Sequence, residues 1–307
     1  MKIVALAGGV GGAKLAHGLA QILHPEDLTV IVNTGDDFEQ YGLYICPDLD
    51  TVCYTLAGMA NPGTGWGRVD ETWNVIENAS KLGGPDWFRL GDQDLGTHLE
   101  RTRRLKAGQT LTQITQDFCS AWGIEQTILP MSGQPVRTIV ETEEGDLAFQ
   151  EYFVHRRCEP RVKGFRFEGV NEAEPAPGVC AAIQSADAVI ICPSNPWVSI
   201  DPILKVISHW DRGNPVIAVS PIIGGQTIKG PAAKMYREMG IEPSALAVAR
   251  HYHGLATGFV LDEIDKQLKG AIMGLNMQTL VTNTLMNSLD NRVRLAKEVL
   301  NFIGMDL

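Results

Sequence analysis

Short apolar runs alternate with segments of helical period in the first part of the chain. Residues 2–7 and 28–33 are apolar runs of strand length. The segment between them carries apolar side chains at helical spacing, at Leu15, Leu19, Ile22 and Leu23. Continuous apolar runs are typical of parallel strands that are covered on both faces of a sheet. The pattern therefore predicts a β-α-β unit.

The same alternation returns in the second half of the chain. Segments of apolar character predict strands at residues 187–196, 214–221, 258–262 and 278–282. Residues 199–210 predict a helix between the first two of these strands. A closing helix is predicted at residues 290–303, with apolar positions at Val293, Leu295, Val299, Leu300 and Ile303.

Residues from about 50 to 122 are helical in pattern. A helical stretch at about residues 50–59 ends at the glycine- and proline-rich segment NPGTGWG. Helical periodicity then dominates residues 70–122, where Thr110 is a predicted N-cap. These helices have no strands between them, so they predict an insertion rather than more β-α-β units.

Residues 136–169 have the pattern of β-strands. Residues 136–142 and 147–154 predict a hairpin, and residues 162–169 predict a third antiparallel strand. The sequence therefore predicts an α/β fold, with a Rossmann-like, mostly parallel sheet, a helical insertion and a small antiparallel β segment. We expect a single domain over residues 1–307, with the inserted region at about 60–175.

Composition and charge limit the classes of partner. The formal net charge is −10 and the sequence pI is about 5.2, which argues against a nucleic-acid partner or an anionic membrane surface. The six cysteines include no C-x-x-C, which argues against a zinc site or a disulfide framework. No signal peptide and no apolar run of membrane-spanning length is recognised. We expect a cytoplasmic protein that acts on small molecules.

The first predicted strand runs into the glycine-rich segment ALAGGVGGAKLAHG. Lys14 stands where a dinucleotide fingerprint needs its third glycine, and its neighbours do not fit a Walker loop. Glycines allow close approach of the backbone, and the helix that follows directs free N–H groups at an anion. We expect a phosphate to bind at this turn, through Gly8, Gly9, Gly11, Gly12 and Lys14. The alternative is a tight strand-to-helix turn without a ligand.

Four aspartates follow the second predicted strand, at the sheet edge where open α/β sheets place ligands. Asp36, Asp37, Asp48 and Asp50 lie within 15 residues. Carboxylates in this position hold Mg²⁺ on a phosphate, or bind or deprotonate a hydroxyl. The alternative is that the first pair shapes a turn while the second pair caps a helix.

Two later strands also end in polar loops. CPSNP offers Ser194, Asn195 and Pro196, which suit either a phosphate or ribose contact or simple helix capping. SPIIGGQTIKGPA offers the polar and glycine residues Gly224, Gly225, Gln226 and Lys229. Because the loops share one edge of the predicted sheet, they favour a nucleotide more strongly together than any one loop does.

The segment WFRLGDQDLGTHLERTRR combines charge with helical period. We expect Asp94 to be the N-cap of a helix and His98 to be structural. Arg101, Arg103 and Arg104 predict a solvated helix face.

Six segments resemble, in order, those of the 2-phospho-L-lactate transferase family (CofD and FbiA): GGVGGAK, NTGDD, PDLDTVCYTLAG, WFRLGDQDLGTH, CPSNP and SPIIGGQTIKGPA. The resemblance implies transfer of a lactyl or enolpyruvyl phosphate group from a GDP-activated acid to the ribityl hydroxyl of the deazaflavin Fo. GMP leaves in this reaction, Mg²⁺ is required, and the product belongs to coenzyme F-420 biosynthesis. The family also suggests a homodimer.

The resemblance assigns roles to individual residues. It implies that Asp50 and Arg89 contact Fo, with Asp50 as orienter or base of the hydroxyl. It implies that the turn at residues 8–12 and the segment 194–196 hold the guanosine diphosphate portion. We expect Mg²⁺ at one or more of Asp36, Asp37 and Asp48, and a flat deazaflavin site walled by Trp66, Trp73 and Trp87.

A second function class remains open at this point. A regulatory nucleotide-sugar-binding protein of the YvcK-like group shares the expected fold and the glycine turn. That group lacks PDLDTV, which counts against it for this chain. A dehydrogenase is disfavoured because the third fingerprint glycine is missing.

Overall fold

Parallel strands form the centre of the computed structural model, which describes residues 1–208 and 213–304. The strands are β1 (Ile3–Ala7), β2 (Leu28–Val32), β3 (Phe38–Gln40), β4 (Leu43–Ile45), β5 (Thr127–Pro130), β6 (Arg137–Thr142), β7 (Gly145–Ala148), β8 (Val162–Glu168), β9 (Ala188–Ile191), β10 (Val216–Val219), β11 (Ile222–Ile223), β12 (Gln226–Thr227), β13 (Gly258–Asp262) and β14 (Gln278–Thr282).

Helices cover both faces of this sheet. They are α1 (Gly9–Ala20), α2 (Pro47–Leu56), α3 (Asn74–Lys81), α4 (Asp92–Lys106), α5 (Leu111–Ala121), α6 (Val179–Ser185), α7 (Asp201–Val206), α8 (Ala232–Glu238), α9 (Ala245–His251), α10 (Lys269–Met273) and α11 (Leu289–Phe302). Within the described part of the chain, no helix has the length and apolar character needed to cross a membrane.

The chain reverses its direction of travel across the sheet beside β1. The seven strands of the central sheet have the order β14-β13-β10-β9-β1-β2-β5, and every neighbouring pair is parallel. The chain moves outward from β1 to β2 and β5, then returns to β9 on the other side of β1. The chain therefore leaves β1 and β9 in opposite directions along the sheet, and such sheets bind ligands at the carboxyl edge of a switch point of this kind.

Both faces of the sheet are buried, which explains the continuous apolar runs of the sequence. On β1, Ile3 and Ala5 pack with α1, α2, α5 and α11. Val4 and Leu6 pack on the opposite face with α6–α9 and the antiparallel strands β6 and β8. The predicted α/β fold with a mostly parallel sheet is confirmed.

The segment at residues 60–175 is divided by a strand of the central sheet. Helices α3, α4 and α5 form a helical excursion, and the predicted N-cap at Thr110 is confirmed and forms a capping box with Gln113. The chain then returns as β5, which pairs with β2 at the sheet edge. A separate antiparallel sheet follows, with the order β7-β6-β8. The sequence interpretation missed β5 because a four-residue strand carries little periodicity.

Three local predictions differ from the structure. Helix α2 begins at Pro47, not at residue 50, because Pro47 fits the first helical position. The predicted strand at residues 147–154 is wrong after Ala148, because a turn of π-helix covers Glu151–His155. Phe149 and Tyr152 are both buried and lie three residues apart, which is a helical spacing. The hairpin of β3 and β4 was not predicted. The last part of the predicted helix 199–210, at residues 209 and 210, lies outside the described residues.

Two helical glycines allow a matched stability test of helix packing. A side chain at Gly18 in α1 would clash with the carbonyl oxygen of Arg292 in α11, whereas Gly96 in α4 has open space around it. Alanine favours a helix over glycine by about 0.8–1 kcal/mol. We expect Gly96→Ala to raise the free energy of unfolding by about 0.5–1 kcal/mol and Gly18→Ala to lower it by about 1–3 kcal/mol.

Urea denaturation of both variants and the wild type measures these changes. A stabilising Gly18→Ala would show that α1 and α11 do not depend on this close approach.

Candidate active site

One cavity of about 610 Å³ lies at the carboxyl edge of the central sheet. Loops that follow β1, β2, β9, β10 and β14 contribute to its walls. It brings together most of the candidate residues: Gly8, Gly9, Gly11, Lys14, Asp36, Asp48, Asp50, Arg89, Ser194, Asn195 and Lys229. Gly12, Asp37 and Pro196 do not line it. The expected convergence of strand-end loops is therefore confirmed.

The glycines of the first turn are explained largely by contacts within the protein. Gly9 has a φ of 62°, a left-handed conformation that favours glycine. A Cβ at Gly8 would lie 2.6 Å from Asp48 Oδ2, and one at Gly12 would lie 2.6 Å from Ser194 Oγ. A Cβ at Gly11 would clash with the carbonyl oxygen of Pro193. The glycines alone therefore do not indicate a phosphate, because a side chain at Gly11 would disturb the turn whether or not a ligand binds there.

Ser194 joins the loop after β9 to this turn. Its hydroxyl donates to the Gly8 carbonyl at 2.8 Å and accepts from the Gly8 N–H at 3.2 Å. Asn195 caps the turn Pro196–Ile200, because its side chain accepts from the Trp197 N–H. Both residues line the cavity. The capping alternative of the sequence interpretation thus applies to Asn195, while Ser194 positions the glycine turn.

Two neighbouring lysines place positive charge on the cavity wall. Lys14 lies in α1, and burial, followed by the charges of Arg292 and Lys229, lowers its pKa. Lys229 donates to the carbonyl oxygens of Gly63, at 3.2 Å, and of Thr64. A bound anion would relieve the repulsion between the two ammonium groups. This pair of lysines is therefore suited to phosphate oxygens.

Asp36 and Asp48 place negative charge in the same cavity, and Asp48 accepts a hydrogen bond from the Gly9 backbone of the glycine turn. Burial raises the pKa of Asp36, and the neighbouring Asp48 charge raises it further. Burial also raises the pKa of Asp48 to about 6, although hydrogen bonds from Asn33 and Gly9 oppose the shift. Within the described residues, Asp36 Oδ1 is buried without a hydrogen-bond partner. Two buried carboxylates with an unused oxygen are a donor set that suits a hard divalent cation such as Mg²⁺.

Asn33 is a site residue that the sequence interpretation missed. It follows β2, and its amide donates to Asp48 Oδ2 at 2.9 Å and to the Val198 carbonyl at 3.2 Å. It also accepts from the Gly35 N–H at 2.8 Å. Asn33 therefore fixes the Asp48 carboxylate relative to the end of β2 and the turn after β9. Its place in NTGDD, directly after a buried strand, was the available signal.

Asp37 lies behind the cavity wall. It is buried, and burial raises its pKa to about 7 even though Arg137 and the Cys46 thiol favour its charged form. Since it does not line the cavity, the structure does not bring it together with Asp36 and Asp48 as a third ligand. The cation that most favours its charged form is Arg137 of β6.

Asp50 is held by an arginine that was expected on the surface. Arg101 is 2% exposed and donates through Nη1 to Asp50 Oδ2 at 3.1 Å and through Nη2 to Asp50 Oδ1. The prediction of a solvated face is therefore wrong for Arg101, although it fits Arg103, which is exposed and pairs with Glu100. Helical phase explains the difference, because Arg101 lies on the face of α4 that packs towards α2.

His98 and Asp94 continue this buried polar network. Arg101 Nη1 lies 3.2 Å from His98 Nδ1, and His98 Nε2 lies 3.3 Å from Asp94 Oδ2. Asp94 also accepts from the Tyr54 hydroxyl at 2.6 Å. Burial opposes its ionisation, but the hydrogen bonds from His98 and Tyr54 outweigh burial and lower its pKa. The N-cap of α4 is Gly91, so the prediction that Asp94 is the N-cap is wrong.

Asp50, Asp94 and His98 offer ligand atoms within 4.8 Å of one another. Arg101, however, already neutralises Asp50, and a divalent cation beside a guanidinium would be repelled. Imidazole nitrogen is also a poor ligand for Mg²⁺ compared with oxygen. The Asp36 and Asp48 pair fits Mg²⁺ better than this triad does.

Aromatic side chains wall the cavity, but they include one of the three expected tryptophans and not the other two. Trp66 lines it, whereas Trp73 and Trp87 do not. The Trp73 ring lies under Arg89, with the guanidinium carbon 4.5 Å from the ring centroid, and Trp87 stacks on His155. The aromatic residues on the wall are Tyr54, Trp66, Phe88, Phe149 and Phe153. Trp73 therefore supports Arg89 at the cavity wall.

Proteins of known family resemble this chain over its whole length. The family model described as "2-phospho-L-lactate transferase CofD" matches residues 3–299. A phosphoenolpyruvate transferase of Streptomyces griseus is 42% identical, over 98% of each chain. A 2-phospho-L-lactate transferase of Methanothermobacter thermautotrophicus is 40% identical, also over 98% of each chain. These relatives favour the transferase over the regulatory nucleotide-sugar-binding protein.

A crystal structure of a Bacillus halodurans protein shares the fold. It superposes with a TM-score of 0.65 at 16% identity and covers 97% of this chain and 99% of its own. A second crystal structure from this organism, of a member of the UPF0052 family, gives a TM-score of 0.63 at 14% identity, with the same coverage. At such low identity these likenesses concern the fold alone. With the cavity, the motifs and the family match together, the chain belongs to the 2-phospho-L-lactate transferase family and is a transferase.

Proposed function

We propose that this transferase acts in coenzyme F-420 biosynthesis, with Fo as acceptor and a GDP-activated acid as donor. The group transferred is 2-phospholactyl or enolpyruvyl phosphate, GMP is released, and Mg²⁺ is the cofactor. Relatives named for the two acids have nearly equal identities of 42% and 40%, so the choice of acid stays open. We also propose a homodimer, as the family resemblance suggests.

The observation that carries this proposal is that two lysines and three carboxylates line one cavity. Lys14 and Lys229 place positive charge near the glycine turn, and we assign the donor diphosphate to them. Asp36, Asp48 and Asp50 form an anionic part of the same cavity. Phosphoryl transfer needs in-line positioning and neutralised charge more than covalent help from the protein, and this arrangement supplies both.

In the proposed reaction the ribityl oxygen attacks the phosphorus that carries the acid. The bond from this phosphorus to the bridging oxygen breaks, GMP leaves with that oxygen, and the proton of the hydroxyl is released to solvent. Both oxygens of Asp50 are engaged by Arg101, so we assign Asp50 to orient the hydroxyl by accepting its hydrogen bond. Asp36 and Asp48 would hold Mg²⁺, which when bound neutralises phosphate charge.

Incubation of the protein with Fo, Mg²⁺ and each GDP-activated acid tests the proposal. Mass spectrometry should find GMP and an Fo phosphodiester with one of the acids. If neither donor gives a deazaflavin product, while the protein is folded, the proposed acceptor or donor is wrong.

Arg89 is the cavity-lining arginine proposed to bind Fo. Its side chain is 55% exposed, stacks on Trp73 and lies 3.9 Å from Glu77, so it is free to turn its donor fork to a ring carbonyl. We expect Arg89→Ala to weaken Fo binding about tenfold, near 1.4 kcal/mol, and to leave GDP affinity within about twofold. Isothermal titration calorimetry measures both affinities.

Arg103→Ala is the matched control, because Arg103 is also exposed but pairs with Glu100 away from the cavity. Equal loss of Fo and GDP affinity in Arg89→Ala would contradict the assignment to the acceptor.

Asp48 links stability to pH. Its pKa is raised to about 6 in the folded protein from an ordinary 3.8, so folding favours its protonated form. The associated stability is present below about pH 4 and is lost as the pH rises through about 6. We expect Asp48→Asn to match the wild type at pH 4 and to exceed its free energy of unfolding by on the order of 1–3 kcal/mol at pH 8 in EDTA. Urea denaturation at the two pH values measures this.

Mg²⁺ provides the second half of this test. At pH 8, added Mg²⁺ should stabilise the wild type and not Asp48→Asn, because the variant lacks one ligand charge. Asp86→Asn, at an exposed position outside the cavity, should respond to Mg²⁺ as the wild type does. Equal stabilisation of Asp48→Asn would place the metal elsewhere.

A further inference from the structure

We infer that Arg101 is a positioning residue of the acceptor site, and that it acts through Asp50. The inference rests on the proposed function, because it assigns how the Fo-binding carboxylate is held. Arg101 itself does not line the cavity, whereas Asp50 does. Its effect on the acceptor must therefore pass through the Asp50 carboxylate.

The pairing of these two side chains fixes the carboxylate in both direction and plane. Arg101 uses two nitrogens of its guanidinium, one on each Asp50 oxygen. A two-pronged pair of this kind has one favourable geometry, unlike the pairing of a carboxylate with a lysine. Each carboxylate oxygen keeps a second lone-pair site. Asp50 can therefore still accept a hydrogen bond from a hydroxyl, but only in the direction that Arg101 leaves.

Burial makes this arrangement rigid. Arg101 is 2% exposed and Asp50 is 5% exposed. An exposed ion pair contributes little to stability, whereas removal of one partner from a buried pair is strongly destabilising. Asp50 therefore has no alternative position of similar energy while Arg101 is present.

A second contact fixes Arg101 in turn. A guanidinium has only donors, so the 3.2 Å contact between Arg101 Nη1 and His98 Nδ1 requires His98 Nδ1 to accept. The other ring nitrogen, His98 Nε2, faces Asp94 Oδ2 at 3.3 Å. Asp94, His98 and Arg101 occupy positions i, i+4 and i+7 of α4, which lie on one helix face. One face of α4 thus fixes the carboxylate of Asp50, which belongs to α2.

The arrangement gives a specific expectation for Arg101→Lys. Lysine keeps the positive charge but cannot engage both carboxylate oxygens in the same plane. We expect the KM for Fo to rise at least tenfold, while the KM for the donor stays within about twofold. Calorimetric affinity for Fo should fall by the same factor. Arg104→Lys is the matched control, because Arg104 lies on the same helix and pairs with Glu100 and Asp117 instead.

A double-variant cycle separates positioning from a general structural role. Arg101→Met alone leaves a buried unpaired carboxylate and can prevent folding, whereas Asp50→Asn with Arg101→Met removes both charges. If Arg101 acts through Asp50, the double variant should fold and bind Fo within about threefold of Asp50→Asn alone. In contrast, Arg101→Lys in the wild-type background should show the full tenfold loss.

The outcomes distinguish this inference from the proposed function. Failure of the wild type to bind Fo would overturn both. Tight Fo binding by the wild type together with unchanged Fo binding by Arg101→Lys would overturn only the inference. A further loss of tenfold or more in the double variant, relative to Asp50→Asn, would also overturn it, because Arg101 would then act by another route.

Discussion

The whole site depends on the close approach of the loops after β1 and β9. These strands are neighbours in the sheet, and the chain leaves them in opposite directions. Side-chain atoms at Gly11 or Gly12 would hold the loops apart, and the Ser194 hydroxyl joins them through the Gly8 backbone. This contact sets the position of α1, and with it the position of Lys14. It also brings the β9 loop to within reach of the carboxylates after β2.

Buried charge is balanced in two different ways on the two sides of α2. Asp50 has an internal counter-charge in Arg101. Asp36 and Asp48 are neighbours of like charge, and their pKa values are raised. Among the described residues, neither carboxylate is in an ion pair with a cationic side chain. Two buried carboxylates held close together lower the stability of the folded protein, and a bound cation would restore that stability.

The sequence was sufficient for the fold because burial on both faces of a parallel sheet leaves continuous apolar runs. It was also sufficient for the convergence of strand-end loops, since parallel strands end at one edge. Short elements such as β5 and the β3–β4 hairpin were missed because three or four residues do not establish a period. The residue types of this segment alone could not show that Arg101 is buried while Arg103 is exposed. The spacing of Asp94, His98 and Arg101 along one helix face could have done so.

The packing of the glycine turn has a consequence for the inheritance of this motif. Substitution at Gly11 is opposed by a carbonyl oxygen of the protein itself, and substitution at Gly8 by Asp48 and Ser199. Purifying selection at these positions would therefore continue in a descendant that had lost its ligand, so long as the two loops remained in contact. The glycine pattern therefore indicates that the two loops lie close together, not that a ligand is bound. Ligand chemistry in such descendants is better traced through the lysines and carboxylates that face the cavity.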